Sequence, residues 1–300
     1  MNTVIQIAGM SYSGSSLLNI LLGTQPDIYA LGECCHIYSP RKPIQLKCSK
    51  CGVLIEKCSF FQGINTSNFY SECFKRSGSR VIVDSSKTKR MGQVLDDSFE
   101  YLIIFLSKSP HEYIHSYIGH RAEGSCEEAM KEYIHIHNSL LRFYEELRSK
   151  YSLRYEYLTY RKLAQDTFDT IKHICFLCNA TFDYYALLDW QNMKCHFVGG
   201  NIAVKSQVAN KTDFFSQETK YKGKFGKIFF DDAWHKDSEF INECHRLYGL
   251  YIEKLDPILL KIGQPNVAMQ LKDLNKNTIW SGRLDSNQRP PAPKAGTLAN

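Results

Sequence analysis

The chain has 300 residues, 43% hydrophobic and 23% charged, enough apolar material for one large core or two small ones, which excludes disorder as its main state. Its 37 Lys and Arg against 31 Asp and Glu leave +6 at pH 7, a diffuse excess that favours an anionic ligand and makes no case for nucleic-acid binding. No stretch reaches the about 18 uninterrupted apolar residues of a membrane span, and MNTVIQIAGM has neither a basic leader nor a long apolar one, so a cytoplasmic protein is expected.

Val4 to Ala8 is a short apolar run and predicts a buried strand. A Gly/Ser loop follows, then a helix over Ser16 to Gly23 carrying Leu17, Leu18, Ile20, Leu21 and Leu22. Val81 to Val83 and Tyr101 to Leu106 (YLIIFL) predict the second and third strands, continuous apolar runs of the kind a parallel sheet buries on both faces. From Glu127 to Lys150, Met130, Tyr133, Ile134, His137, Leu140, Leu141, Tyr144 and Leu147 recur at helical spacing and predict one long amphipathic helix. Leu153 to Leu158 predicts a fourth strand and Thr167 to Cys178 another helix. Strands alternating with helices imply an α/β fold, a three-layer sandwich around a mostly parallel sheet, with ligands at the carboxyl ends of the strands.

There is no internal repeat. Residues 1–280 read as one α/β domain with a Cys-rich insert at about 34–73. Residues 281–300 hold three of the nine prolines, between Pro290 and Pro293, and almost no large apolar side chains. Such a segment cannot offset its ordering entropy and is expected to be a disordered tail. Without its Arg283, Arg289, Lys294 and Asp285 the charge is +4 over about 280 residues.

The loop Gly9 to Ser16, GMSYSGSS, carries the most chemical information. Gly9 and Gly14 stand where a phosphate-binding loop has its glycines: they allow close backbone approach, and the N–H groups opening the next helix point at an anion. A nucleoside triphosphatase loop ends in GK[ST], whose Lys reaches the terminal phosphates. Here the ending is Gly14-Ser15-Ser16, which disfavours a P-loop kinase or GTPase. The plain alternative is a glycine-rich strand-to-helix turn capped by Ser15.

An N-terminal strand followed by SGSS, an apolar helix and QPDIYALGE resembles the opening of sulfotransferases that use 3'-phosphoadenosine 5'-phosphosulfate (PAPS). Four later segments keep the family's order. VIVDSSK (Val81 to Lys87) resembles its VDSSK strand end. YLIIFLSKSPHEYIHSY (Tyr101 to Tyr117) resembles its 3'-phosphate segment, with Lys108 and Ser116 at the spacing of the family's Arg and Ser. LRYEYL, from Leu153, resembles RYEDL. VGGN (Val198 to Asn201) with DDAW (Asp231 to Trp234) resembles its C-terminal GN and D-x-x-W pair.

The resemblance implies a P-loop-like fold, PAPS as cosubstrate and an acceptor hydroxyl or amine, with neither a catalytic metal nor a covalent enzyme intermediate. It implies that Ser13, Gly14, Ser15 and Ser16 hold the 5'-phosphosulfate, and that Lys108 and Ser116 hold the 3'-phosphate, with Lys205 near the GN segment. It makes Glu33 the first choice for general base and His36 the second, and Lys87 a replacement for the cation that relatives carry before SG, where this chain has Tyr12 and Ser13. Lys108 for Arg exchanges a planar bidentate donor for a point charge. The alternative reading is a non-catalytic descendant that binds PAPS or its bisphosphate product, and, less favoured, a nucleotide kinase. Acceptor and oligomeric state stay open.

Eleven Cys in a chain of this length read as thiols rather than a disulfide scaffold. Cys48-Ser-Lys-Cys51-Gly with Cys58 gives C-x2-C-x6-C, the shape of a zinc knuckle lacking one ligand. The fourth would have to be Cys34, Cys35, His36 or Cys73; unliganded thiols and disulfides are the alternatives. The insert, seen as Ser39 to Gly63, resembles Cys-rich inserts of some bacterial sulfotransferases and lies beside Glu33. Lys220, Lys222, Lys224 and Lys227 with Tyr221 and Phe225 read as a solvated loop, and next as a nucleotide lid hinged at Gly223 and Gly226.

Overall fold

Strands that are apolar at every position must be covered on both faces, and the computed structural model shows such a sheet. It describes residues 1–38, 46–87, 92, 94–121, 123–188, 193–200 and 237–275. Six strands, β1 (Thr3–Gly9), β2 (Ile28–Gly32), β3 (Val81–Lys87), β4 (Glu100–Ser107), β5 (Leu153–Thr159) and β6 (Cys195–Val198), lie in the order β5-β4-β1-β3-β2-β6. Every neighbouring pair is parallel. All of β1 and β2 is buried, whereas β5, at one edge, is largely half-exposed.

Alternate side chains feed two cores. On one face Ile5, Ile7 and Ile104 pack with Leu17, Leu18 and Leu21 of α1 (Ser15–Gly23) and Ile171 and Ile174 of α7 (Thr167–Leu177). On the other, Val4, Ile103 and Phe105 pack under α3 (Phe69–Ser77), α4 (Pro110–Ile118), α5 (Cys126–Arg148) and the helix Ser238–Lys261. This second core is rich in tyrosine, with Tyr70, Tyr113, Tyr133, Tyr144 and Tyr248 among its fully buried side chains. Three layers and a parallel sheet are the α/β architecture expected. Short elements complete the chain: α2 (Cys35–Tyr38), α6 (Tyr160–Gln165), α8 (Tyr184–Leu188) and the helix Val267–Leu274.

The predicted elements are present with ends shifted by a few residues, and the largest shift has a physical cause. β3 runs four residues past Val83 because the buried Asp84 is fully engaged there. Its carboxylate accepts from Tyr70 Oη at 2.9 Å, Gln6 Nε2 at 3.1 Å and the Ser86 amide at 2.8 Å, so a charged residue continues the strand. The sequence does not predict β2, β6, α3, α4 or the helices Ser238–Lys261 and Val267–Leu274. α4 starts at a capping box in which the Glu112 carboxylate accepts from the Ser109 amide at 3.1 Å, with Pro110 in the first turn. α5 starts likewise, Ser125 and Glu128 capping each other at 3.2 and 2.9 Å.

β1 leads across the sheet to β2, on one side, and β4 leads to β5, on the other. The connections therefore diverge between the carboxyl ends of β1 and β4, where a parallel sheet opens a crevice. Residues 281–300, Asn201, Lys205, Asp231 to Trp234 and the lysine-rich stretch from Lys211 to Lys227 lie outside the described residues.

Candidate active site

The loop from β1 to α1 is built to bring backbone to a ligand. Gly14, with φ 92°, is the residue before α1, and no side chain caps that helix. The first N–H groups of α1 therefore face the crevice without a cap, beside the buried hydroxyls of Ser15 and Ser16. Ser13 Oγ donates to the Met10 carbonyl at 2.7 Å and closes the loop on itself. Gly14 is held to glycine twice over, by its left-handed φ and because a Cβ there would collide with the Tyr160 ring. Ser15 is not the cap of α1; that position belongs to Gly14.

Tyr160, which sequence reasoning did not single out, joins two parts of the site. It opens α6 at the carboxyl end of β5, and Lys108 Nζ lies 4.6 Å from its ring centroid. Lys108 follows β4 and donates to Ser116 Oγ of α4 at 2.8 Å. The Lys and Ser that the resemblance pairs thus lie in hydrogen-bond contact. Ser109 has become the cap of α4, which accounts for a small oxygen-bearing residue at that place.

Tyr12, just before the Ser13-Gly14 pair, adopts φ 65° and stacks on His120 with centroids 4.7 Å apart. Arg121 follows His120 just past the end of α4: its guanidinium donates to Tyr117 Oη at 2.6 Å, lies 4.2 Å from the Tyr117 ring centroid and pairs with Glu132 at 3.2 Å. His111 is structural, buried between Ser109 Oγ at 3.1 Å and Tyr248 Oη at 2.9 Å.

Glu33, His36 and Lys87 form one cluster. Glu33 stands at the end of β2, a strand and not the tail of α1, and this carries it to the carboxyl edge of the sheet. Its Oε1 pairs with Lys87 Nζ at 2.5 Å, and its Oε2 lies 3.4 Å from His36 Nε2. The pair is 15% and 16% exposed, so the charges are only partly hydrated. Burial alone would raise the Glu33 carboxyl, but the His36 imidazole and the Lys87 ammonium outweigh it and bring it down to about 2. Lys87 holds φ 57°, so with Tyr12 two of the three described non-glycine residues in the left-handed region border this site.

The Gly199–Gly200 turn after β6 connects the cluster to the loop. A Cβ on Gly200 would lie 2.8 Å from Ser16 Oγ, and one on Gly199 would lie 2.9 Å from Glu33 Cβ. Absence of side chains there lets the turn lie between loop and carboxylate. The contacts run from Lys108 through Tyr160, Gly14, Ser16, Gly200 and Gly199 to Glu33 and Lys87.

Beside this, Cys48, Cys51 and Cys58 converge on His196 of β6, with all four ligand atoms within 4.8 Å of one another. His196 replaces the four residues expected to complete the set. Cys34 donates to the Leu31 carbonyl at 3.7 Å and Cys35 to that of Ser86 at 3.6 Å, both at the edge of the sheet core, while Cys73 is buried on α3 and His36 is engaged with Glu33. No spacing rule finds His196, 138 residues beyond Cys58; the β2–β6 pairing brings it there. No disulfide joins any of the eleven cysteines, all of which are described.

Among the described residues no helix is long and apolar enough to cross a membrane. No family model and no curated protein matches the chain. Solved structures resemble it at low identity. A sulfotransferase domain from the curacin biosynthetic pathway is 16% identical, with a TM-score of 0.49 over 71% of this chain and 83% of its own. A sulfotransferase domain from the Synechococcus PCC 7002 olefin synthase is 17% identical, with a TM-score of 0.45 over 63% of this chain and 77% of its own.

Proposed function

We propose that this protein is a sulfotransferase that moves a sulfuryl group from PAPS to a hydroxyl or amine of an acceptor. One observation supports the reading most: Tyr160 lies against the glycine of the uncapped loop and against the cation of the Lys108–Ser116 pair, so in this reading two anion-binding groups stand one ring apart. A nucleotide phosphorylated at both its 5' and 3' positions matches two such sites. A triphosphate needs the loop Lys that Ser15 replaces.

In this reading the backbone of Ser13 to Ser16 and the hydroxyls of Ser15 and Ser16 hold the 5'-phosphosulfate, and Lys108 and Ser116 hold the 3'-phosphate. The acceptor oxygen or nitrogen attacks sulfur in line. The bond from sulfur to the bridging oxygen breaks, its electron pair leaves on the 5'-phosphate, and Glu33 takes the acceptor's proton. A carboxylate held near 2 is a weak base, so its ion pair matters. Incoming phosphosulfate offers Lys87 a second anion. Sharing the ammonium raises the basicity of Glu33 and places positive charge where negative charge grows on the leaving oxygen.

The same low pKa favours, as a second reading, a non-catalytic binder in which Glu33 and Lys87 stay paired. Incubation with sulfur-labelled PAPS and a pool of hydroxyl and amine acceptors separates the two. Label moving to any acceptor, and failing to move with Glu33→Gln, supports the enzyme. Tight nucleotide binding without transfer rejects it in favour of the binder.

A further inference from the structure

The insert presents a puzzle of stability. From Leu46 to Cys58 only Cys48 and Cys58 are buried, and Leu46 and Ile55 pack against the core only half-buried, so thirteen residues hold their place with little fully buried apolar surface. A segment this poor in core needs another tie to hold one conformation. Its hydrogen bonds to the body are few: the Ser49 amide donates to the Phe197 carbonyl of β6 at 2.9 Å, while the Lys47–Leu54 bridge is internal to the insert.

The two buried residues are both members of the cluster with Cys51 and His196. Their sulfurs stand 3.4, 3.3 and 3.2 Å from His196 Nδ1 for Cys48, Cys51 and Cys58, and Cys51 Sγ lies 3.9 Å from Cys58 Sγ. A tetrahedral zinc with bonds of about 2.3 Å to sulfur and 2.0 Å to nitrogen has edges of about 3.8 and 3.5 Å. These four edges fit within a few tenths of an ångström, and all the ligand atoms lie within 4.8 Å of one another. Protonated thiols do not account for the arrangement: Nδ1 offers one lone pair, and three sulfurs crowd it.

The His196 ring is clamped by Phe60, stacked at 4.8 Å and 11°, which aims Nδ1 at the three sulfurs. Three thiolates and one imidazole make a closed, soft, four-ligand set, the chemistry of structural Zn2+ with no position left for a substrate.

We propose that Cys48, Cys51, Cys58 and His196 bind one Zn2+, and that this ion fastens the insert to edge strand β6. Binding displaces the thiol protons to solvent and changes no oxidation state. β6 is four residues long and ends in the Gly199–Gly200 turn that packs on Glu33 and Ser16, so the ion fixes the strand from which that turn projects.

Metal analysis of the full-length protein, purified without added metal or chelator, tests this. One zinc per chain is expected. Cys51→Ser and His196→Asn should abolish it, while Cys126→Ser, on α5, should keep it. Because a ligand variant can fail to fold, wild-type protein stripped by a chelator is also titrated with Co2+. Visible bands of tetrahedral, thiolate-bound cobalt saturating at one equivalent support the site. Folded wild-type protein that holds no zinc and gives no such spectrum overturns the proposal, as does zinc retained by both ligand variants. None of these readouts involves a nucleotide, so the zinc site and the sulfotransferase reading fail separately.

Discussion

Replacing Lys87 by Met removes the cation from a carboxylate that has little water to turn to. Glu33 and Lys87 meet at 2.5 Å with 15% and 16% exposure, and Glu33 stands at about 2 against an ordinary 4.5. That gap corresponds to roughly 3 kcal/mol of stabilisation of the charged form at neutral pH, shared between Lys87 and His36. Lys87→Met should therefore cost about 1–3 kcal/mol, because it strands a partly buried charge. Glu33→Gln, which keeps shape and removes charge, should cost less. Urea unfolding of wild type, both single variants and the double variant closes a cycle whose coupling should be about 1–2 kcal/mol. The depressed pKa also fixes the sign with pH. The contribution is complete above the ordinary glutamate range near 4.3 and is lost as pH falls toward 2, so the coupling should shrink over that interval and be flat from about pH 5 to 8. A coupling below about 0.3 kcal/mol at pH 7, or one that does not change under acid, would refute the ion pair as described.

Three further outcomes follow from the same geometry. Lys108→Ala and Ser116→Ala should each weaken binding of adenosine 3',5'-bisphosphate about 5- to 30-fold, the worth of one charge-assisted hydrogen bond, and leave adenosine 5'-phosphate nearly unaffected; calorimetry of both ligands checks this. Gly14→Ala should destabilise the fold by about 1–3 kcal/mol and abolish bisphosphate binding, since it meets both a left-handed backbone and the Tyr160 ring; thermal unfolding with and without ligand reads both. Glu33→Gln should spare bisphosphate affinity and lower turnover about 100- to 10,000-fold, and normal turnover would place the base elsewhere.

The elements legible in the sequence are those whose pattern is local. β1, β4 and α5 declare themselves through unbroken apolar runs or a 3.6-residue repeat, and the glycines of the β1–α1 loop through the turn they permit. β2 and β6 were opaque because they are short, five and four residues, and because what makes them strands is pairing with each other and with β3. That same non-local pairing hides the two features sequence reasoning missed. His196 joins the cysteines only once β6 lies beside β2, and Tyr160 reaches Gly14 and Lys108 only once β5 lies beside β4. The Lys108–Ser116 pair was legible only through the resemblance of its segment to the family's 3'-phosphate segment; in the structure the two side chains meet where β4 ends and α4 runs.

The crevice is expected to take a nucleotide phosphorylated at both 5' and 3' positions. A thermal-unfolding titration comparing adenosine 3',5'-bisphosphate, adenosine 5'-phosphate and ATP with Mg2+ addresses it directly. Ligand at a hundredfold excess over Kd stabilises the folded state by about 2.7 kcal/mol, several degrees in Tm for a chain of this size. That shift is expected for the bisphosphate, with a smaller one for the monophosphate that Ser116→Ala leaves unchanged. Stabilisation by ATP with Mg2+, and none by the bisphosphate at millimolar concentration, would contradict it.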